Sequence, residues 1–210
     1  MLSNPQISSL ADGLAERLSG VRERIAQAAL AADRDVQSVT LLAVSKGQSA
    51  ARVRAALALG LTQFGENYAD EAVTKIRALS DTPAQWHFIG RLQANKTRAV
   101  AEHFSWVHSV DRLRIAERLS AQRPLHAPAL NVCVQVSVAN EPAKGGIDEA
   151  AALPLLQAIS LLPRLRVRGL MCMLPFQMAP AAQHAAFARL RQLLETAGKH
   201  GLQLDCLSMG

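Results

Sequence analysis

Aromatic residues are few in this 210-residue chain: one Tyr, two Trp and five Phe, none interleaved with Lys or Arg. A stacking platform for single-stranded nucleic acid needs that interleaving, so the composition speaks against one. Cysteine is scarce too. Cys133, Cys172 and Cys206 lie far apart, each in an apolar run, which predicts buried free thiols in a reducing compartment and no disulfide frame. No apolar run nears the roughly 20 residues of a membrane span, and the N-terminus lacks a charged-then-apolar signal pattern, so the expected location is the cytoplasm, with no membrane partner. The formal charge is +6, but the basic residues are scattered among acids and form no block for a nucleic-acid backbone. Also missing are an acid pair poised for glycoside chemistry, a His-x-x-x-His or Cys-x-x-Cys metal spacing, and a G-x-S-x-G nucleophile turn. Gly145-Gly146 is too short to be a nucleotide fingerprint.

What is present suits one large α/β domain, residues 1–210. Half of the residues are hydrophobic, and the length allows a sizeable core but not two comfortable ones. Asn4-Pro5 reads as a helix cap with proline in the first turn. Ile7, Leu10, Leu14, Leu18, Val21 and Ile25 then recur at helical spacing to about Leu30. Val39–Val44 reads as a strand buried on both faces, followed by Ser45-Lys46-Gly47 and a helix from Ser49 to a stop at Gly60. Further strands are predicted at Leu61–Phe64, Gln85–Gly90, Trp106–Val110, Asn131–Val138, Leu165–Met173 and Leu204–Leu207. Helices fall between them, with Asp111 and Asp148 as caps and a loop running from Glu141 to Gly146. Regular alternation predicts a parallel sheet with right-handed crossovers. Seven strands favour a (β/α)8 TIM-type barrel with an extra N-terminal helix over a doubly wound sheet. Closure needs an eighth strand, which is expected outside the sequence as given.

In a barrel the residues just after each strand share a rim. Those positions carry Lys46; Glu66 and Asn67; Gly90, Arg91 and Asn95; Ser109; the loop before Gly146; Met173 and Pro175; then Ser208 and Gly210. The ring is polar and surrounds one strand-end lysine. Lost hydration would lower the pKa of such an amine and free it to attack a carbonyl; a snorkelling or salt-bridged lysine is the plainer reading. Glu66-Asn67 reads equally as a helix cap. His87 is either lumen-facing or a hydrogen-bonded core histidine, with the second favoured. Arg164, Arg166 and Arg168, at period two, suggest a solvated or helix-facing edge. Ser208-Met209-Gly210 reads as strand-end turn chemistry, or as small residues whose N–H groups stay free for a phosphate.

Val44-Ser45-Lys46, Phe64-Gly65-Glu66-Asn67-Tyr68, Trp86-His87-Phe88-Ile89-Gly90, Leu92-Gln93-x-Asn95-Lys96, His108-Ser109-Val110-Asp111, Arg168-Gly169-Leu170-Met171 and Ser208-Met209-Gly210 occur in one order and register. From about residue 39 onward the chain resembles the pyridoxal-phosphate homeostasis protein family, single-domain relatives of the N-terminal barrel of alanine racemase. The resemblance implies that Lys46 forms a Schiff base with pyridoxal 5′-phosphate (PLP). It puts Asn67 and His87 near the cofactor and makes Ser208 and Gly210 the start of a phosphate cradle. Two departures stand out. Many relatives have proline where this chain has Ser49, and after Ser-Met-Gly they continue with Met-Ser-x-Asp and a final Arg-Ile-Gly-Thr-like strand. The implied role is non-catalytic PLP and amino-acid homeostasis by a monomer, with PLP-dependent apoenzymes and free amino acids as recipients. The alternatives are a PLP-dependent racemase, and a nucleic-acid or protein-interaction module.

Overall fold

The computed structural model describes residues 5–138 and 145–210, with side chains from residue 13 onward. The expected cap at Asn4 and loop residues 141–144 lie outside the described residues. The chain forms two compact units. One takes in the chain up to Glu66 together with Glu71–Trp86; the other comprises Asn67–Asp70 and His87–Gly210.

In the first unit the long one-faced helix predicted from the Leu and Ile spacing is α1, Pro5–Ala31, which packs against α2, Ala50–Ala58. Strand β1, Ala43–Val44, pairs parallel with β2, Gln63–Glu66, aligning Ala43 with Phe64 and Val44 with Gly65. Ser49 occupies the N-cap of α2, and its side chain accepts the Arg52 N–H. Helix α3, Ala69–Ala78, follows β2, and the Gln85 N–H at the start of β3 (Gln85–Phe88) donates to the Thr62 carbonyl at 2.7 Å. Val53, Ala56, Leu61, Phe64, Ala72, Leu79 and Trp86 are buried, the Phe64 and Trp86 rings 5.6 Å apart.

In the second unit the latter half of β3 pairs parallel with β4, Trp106–Val110. Then come β5 (Leu130–Gln135), β6 (Leu165–Cys172) and β7 (Cys206–Met209), each parallel to its predecessor. Helices α4 (Thr97–His103), α5 (Leu113–Gln122), α6 (Glu149–Ser160) and α7 (Pro180–Lys199) alternate with them. The strands are so apolar (Val107, Leu130, Val132, Val134 and Leu170 are fully buried) because helices cover them. Buried Arg123 donates to the carbonyls of Ala101, Phe104 and Pro128, satisfying backbone acceptors where α4 ends.

Strand order follows chain order from β1 to β7 without reversal. A doubly wound sheet requires a reversal at its switch point, so the topology is the singly wound α/β pattern of a TIM-type barrel, with seven strands among the described residues.

Four local expectations change. The first strand is short and is not buried on both faces: ladder pairing begins only at Ala43, and Val44 is 51% exposed. β1 ends the strand order, so a neighbour covers one side of it only. The last strand sits two residues later than expected, because the β6 ladder carries pairing on to Met209, opposite Cys172. Asp111 does not cap α5: its carboxylate takes the Arg112 guanidinium at 2.5 Å, and Arg112 itself holds the cap position. Asp148 holds the N-cap position of α6 but makes no side-chain cap bond.

Register also brings two thiols together. Cys133 aligns with Gly169, and Gly169 with Cys206. A Cβ on Gly169 would lie 1.8 Å from the Cys206 carbonyl oxygen, so only glycine fits there. With no side chain between them, the Cys133 and Cys206 thiols hydrogen-bond. That bond, together with burial, holds Cys133 above the ordinary thiol range, and the same bond holds Cys206 below it.

Candidate functional site

Lys46 lies two residues beyond β1 and is exposed, so the loss of hydration expected for it is not produced by the described residues. Its two neighbours are instead held firmly. The Ser45 hydroxyl donates to Glu66 Oε1 at 2.6 Å, and the Ser45 N–H donates to the Gly65 carbonyl at 2.9 Å. Lys75 Nζ donates to the same Glu66 oxygen at 2.5 Å, to the Ser45 carbonyl at 2.7 Å and to Glu71 Oε1 at 3.2 Å. Glu71 Oε1 also accepts the Gly47 N–H at 2.7 Å, and that bond leads the causes that hold its carboxyl below the usual range.

The peptide units on both sides of Lys46 are thus fixed by one ion-pair network, buried at Glu66 and Lys75 and partly exposed at Glu71. Glu66 is wholly buried and Lys75 is 5% exposed. The helix-cap reading of Glu66 is therefore corrected: its position in β2 turns the carboxylate toward Lys75 of α3. Lys75 carried no signal in the sequence reading. Its spacing from Glu71, one helical turn, was the available clue.

In the second unit, Asn67 passes so close to the strand-end glycine of β3 that a Cβ on Gly90 would lie 2.1 Å from the Asn67 carbonyl oxygen. The Ser109 hydroxyl donates to the Gly90 carbonyl at 2.5 Å, holding that crossing from the end of β4. The Oδ1 atom of Asn67 is buried and has no hydrogen-bond partner among the described residues, an arrangement that costs stability unless something fills it.

His87 is a buried, hydrogen-bonded histidine, as favoured from sequence. Its Nδ1 lies 2.9 Å from His108 Nε2, and His108 Nδ1 lies 2.7 Å from Ser208 Oγ. Burial, with His108 beside it, holds the His87 pKa down to about 3, and burial holds His108 down to about 4, so both rings are neutral near pH 7. Trp106 stacks on His87 with ring centres 5.4 Å apart, and the Arg168 guanidinium lies 4.6 Å from the Trp106 ring centre. Arg168 also forms a two-point pair with Asp205 and donates to Asn131 Oδ1. The arginine run, expected on a solvated or helix-facing edge, loses its simple period of two at Arg168, where β5 and β6 shift register between Val132 and Cys133; Arg168 stays part-exposed beside Asp205.

His108 escaped nomination although it shares the period-two face of Trp106. Ser208 lies within β7, and the Gly210 N–H donates to the Cys172 carbonyl at 3.3 Å, so that amide is not free for a phosphate. Tyr68 is 63% exposed. Among the described residues no group of three or more potential ligands could hold a metal ion, and no helix is long and apolar enough to cross a membrane.

Residues 18–210 match the family described as alanine racemase, N-terminal domain. Solved alanine racemases share the fold: that of Corynebacterium glutamicum, 16% identical, superposes with a TM-score of 0.68 over 97% of this chain and 53% of its own. The family match and the shared singly wound fold thus define an alanine racemase N-terminal-type α/β domain. Similarity narrows this further. The pyridoxal phosphate homeostasis protein of Pseudomonas aeruginosa is 55% identical over 94% of this chain and 84% of its own. PipY of Synechococcus elongatus, solved with PLP bound, is 36% identical with a TM-score of 0.80, covering 93% of this chain and 88% of its own. The chain belongs to the pyridoxal phosphate homeostasis protein family.

Proposed function

We propose that this chain binds PLP through Lys46, as a single cofactor-binding domain of the cytoplasm, and serves PLP and amino-acid homeostasis without substrate turnover of its own. The observation that carries the proposal is Lys46 itself: an exposed primary amine whose flanking peptides are both fixed by the Glu66–Lys75–Glu71 network. PLP, when bound, supplies an aldehyde that condenses reversibly with amines.

Each unit carries groups that suit such a ligand. Within the first, Lys46 offers the amine; within the second, Asn67 offers an orphaned amide oxygen and Ser208 a hydroxyl on a polar relay. Two other lysines are engaged: Lys75 in its buried pair and Lys96 with Asp70 at 2.6 Å.

Turnover as a racemase would need two acid–base groups, one on each side of the substrate's α-carbon. Lys46 can serve one. The only tyrosine is exposed, and His87 is bound to His108 with its pKa near 3, a poor base at neutral pH. A positioned acid–base group is typically worth about 10²–10⁴ in rate, so residual activity is expected to be marginal. An amine held this way can pass its ligand to free amino acids or to apoenzymes that use PLP.

The test is borohydride reduction of the PLP-loaded protein followed by peptide mapping, with the label expected on Lys46 and lost in Lys46→Ala. Label on Lys96 or Lys144 instead would overturn the assignment. Turnover of L-alanine or L-serine at about 1 s⁻¹ or faster, abolished in Lys46→Ala, would replace the carrier with an enzyme.

A further inference from the structure

The His87–His108–Ser208 chain admits two proton arrangements, and they leave Ser208 with opposite characters. Both rings are buried and neutral, so each carries a single N–H. His108 bonds through both nitrogens, to His87 Nδ1 and to Ser208 Oγ, and so must donate one of these bonds and accept the other. In the first arrangement His108 donates from Nε2 to His87 and accepts the Ser208 hydroxyl at Nδ1. The serine proton is then consumed, and an incoming anion meets only oxygen lone pairs. In the second arrangement His87 donates from Nδ1, and His108 accepts at Nε2 and donates from Nδ1 to Ser208 Oγ. The serine proton is then free to point outward. Along the chain the Ser208 proton passes to His108 Nδ1 and the His108 Nε2 proton to His87 Nδ1, while one proton leaves at His87 Nε2 and another enters at Ser208 Oγ, so no net charge is created in the buried layer.

We infer that His108 is a positioning residue that arms Ser208 as a hydrogen-bond donor to the ligand's phosphate, the arriving anion selecting the Nδ1–H form of both histidines. This rests on the PLP reading above and deepens it, by giving the site a means of telling a phosphorylated aldehyde from its unphosphorylated form. The geometry suits the task. Trp106 lies nearly parallel to the His87 ring, at 12°, and Arg168 lies over Trp106, so stacking braces the His87 end of the chain. Asp205, three residues before Ser208, is engaged by Arg168 in a two-point pair. A donated bond to a phosphate dianion is charge-assisted and stronger than a neutral one.

The test uses the whole protein and three probes: PLP, pyridoxal and inorganic phosphate. In the wild type, ¹⁵N-histidine NMR should show His108 passing from the Nε2–H to the Nδ1–H tautomer when PLP or phosphate is added, and not when pyridoxal is added. His108→Phe should lower PLP affinity about 10- to 100-fold while leaving pyridoxal affinity within about twofold, the loss expected when a hydrogen bond to a charged group is removed. Ser208→Ala should lose a similar factor, and the double variant should lose no more than either single one. His108→Asn, whose amide nitrogen takes the place of Nδ1, should restore most of the discrimination. Equal losses for PLP and pyridoxal in His108→Phe, or a His108 tautomer unmoved by PLP and phosphate, would overturn the relay. If His108→Phe does not fold, the wild-type tautomer measurement decides alone. Failure of PLP to label Lys46 would sink the function proposed above, and the phosphate titration would still judge the relay.

Discussion

At the scale of single residues, the arrangement around Lys46 separates an exposed amine from its support. Ser45 is tied to the buried Glu66–Lys75 pair, and Gly47 to the partly exposed Glu71. Removing one partner of a buried pair strands the other. Lys75→Met is therefore expected to cost about 3–5 kcal/mol in urea unfolding, because Glu66 is wholly buried and Glu71 already serves the Gly47 amide. Glu71→Gln, which keeps an oxygen for that amide, should cost less than about 1 kcal/mol. The double variant Glu66→Gln/Lys75→Met should recover a large part of the Lys75→Met loss, since it leaves no uncompensated charge. A double variant no more stable than Lys75→Met would mean that Lys75 acts through its contact with Ser45 and not through the ion pair. The amino-acid order shows only the one-turn spacing of Glu71 and Lys75; Glu66 and Lys75 are nine residues apart, on different elements, and only the fold joins them.

At the scale of elements, what could be read from the sequence followed the length and regularity of the apolar pattern. Helix α1 and strand β4 were legible because their apolar spacing is long or their borders are marked by turn residues. Val39–Val44 misled because composition speaks to burial and not to pairing; a strand at the end of the sheet order needs fewer partners than its valines suggest. The two-residue error in β7 had the same root, since its end is set by β6. The candidate site was legible where a side chain stands alone at a strand end, as Lys46 does, and was lost where function depends on cross-strand neighbours. His108 needed the parallel register of β3 and β4 before it could be seen beside His87. Ser49 was marked as a departure from proline and takes an intelligible role as a side-chain cap.

For the molecule as a whole, the buried histidines set a pH dependence of a definite sign. Their folded-state pKa values, about 3 for His87 and about 4 for His108, lie below the ordinary 6.5, so the unfolded chain binds more protons between those limits. Stability is then full above about pH 6.5, falls as pH drops toward 4, and changes little through these groups below about 3. The two together are worth on the order of several kcal/mol. Glu71 and Asp205, held below the usual carboxylate range by the Gly47 amide and by Arg168 respectively, add their losses only at the acid end. Urea midpoints taken from pH 7 to pH 4 should therefore decline before the carboxylates titrate, and His108→Asn should flatten that decline. A stability flat from pH 7 to pH 5 would contradict the neutral, buried pair.

The thiols that meet across Gly169 decide how the chain answers oxidants. Cys133 and Cys206 stand two strand spacings apart, about 9.5 Å between Cα atoms, whereas a disulfide tolerates no more than about 7 Å. Their sulfurs can share a proton but cannot join without parting the sheet. Cys206, half-buried and held toward the thiolate, is the one that peroxide or oxidised glutathione should reach. Its oxidation should stop at the sulfenic acid or the mixed disulfide, since Cys133 lies too far across the sheet to resolve it. Mass spectrometry after peroxide or glutathione-disulfide treatment should find the modification on Cys206 and no Cys133–Cys206 crosslink. Recovery of the native thiols would then fall to an external reductant, which makes the exposed side of this pair a record of the redox state around the protein.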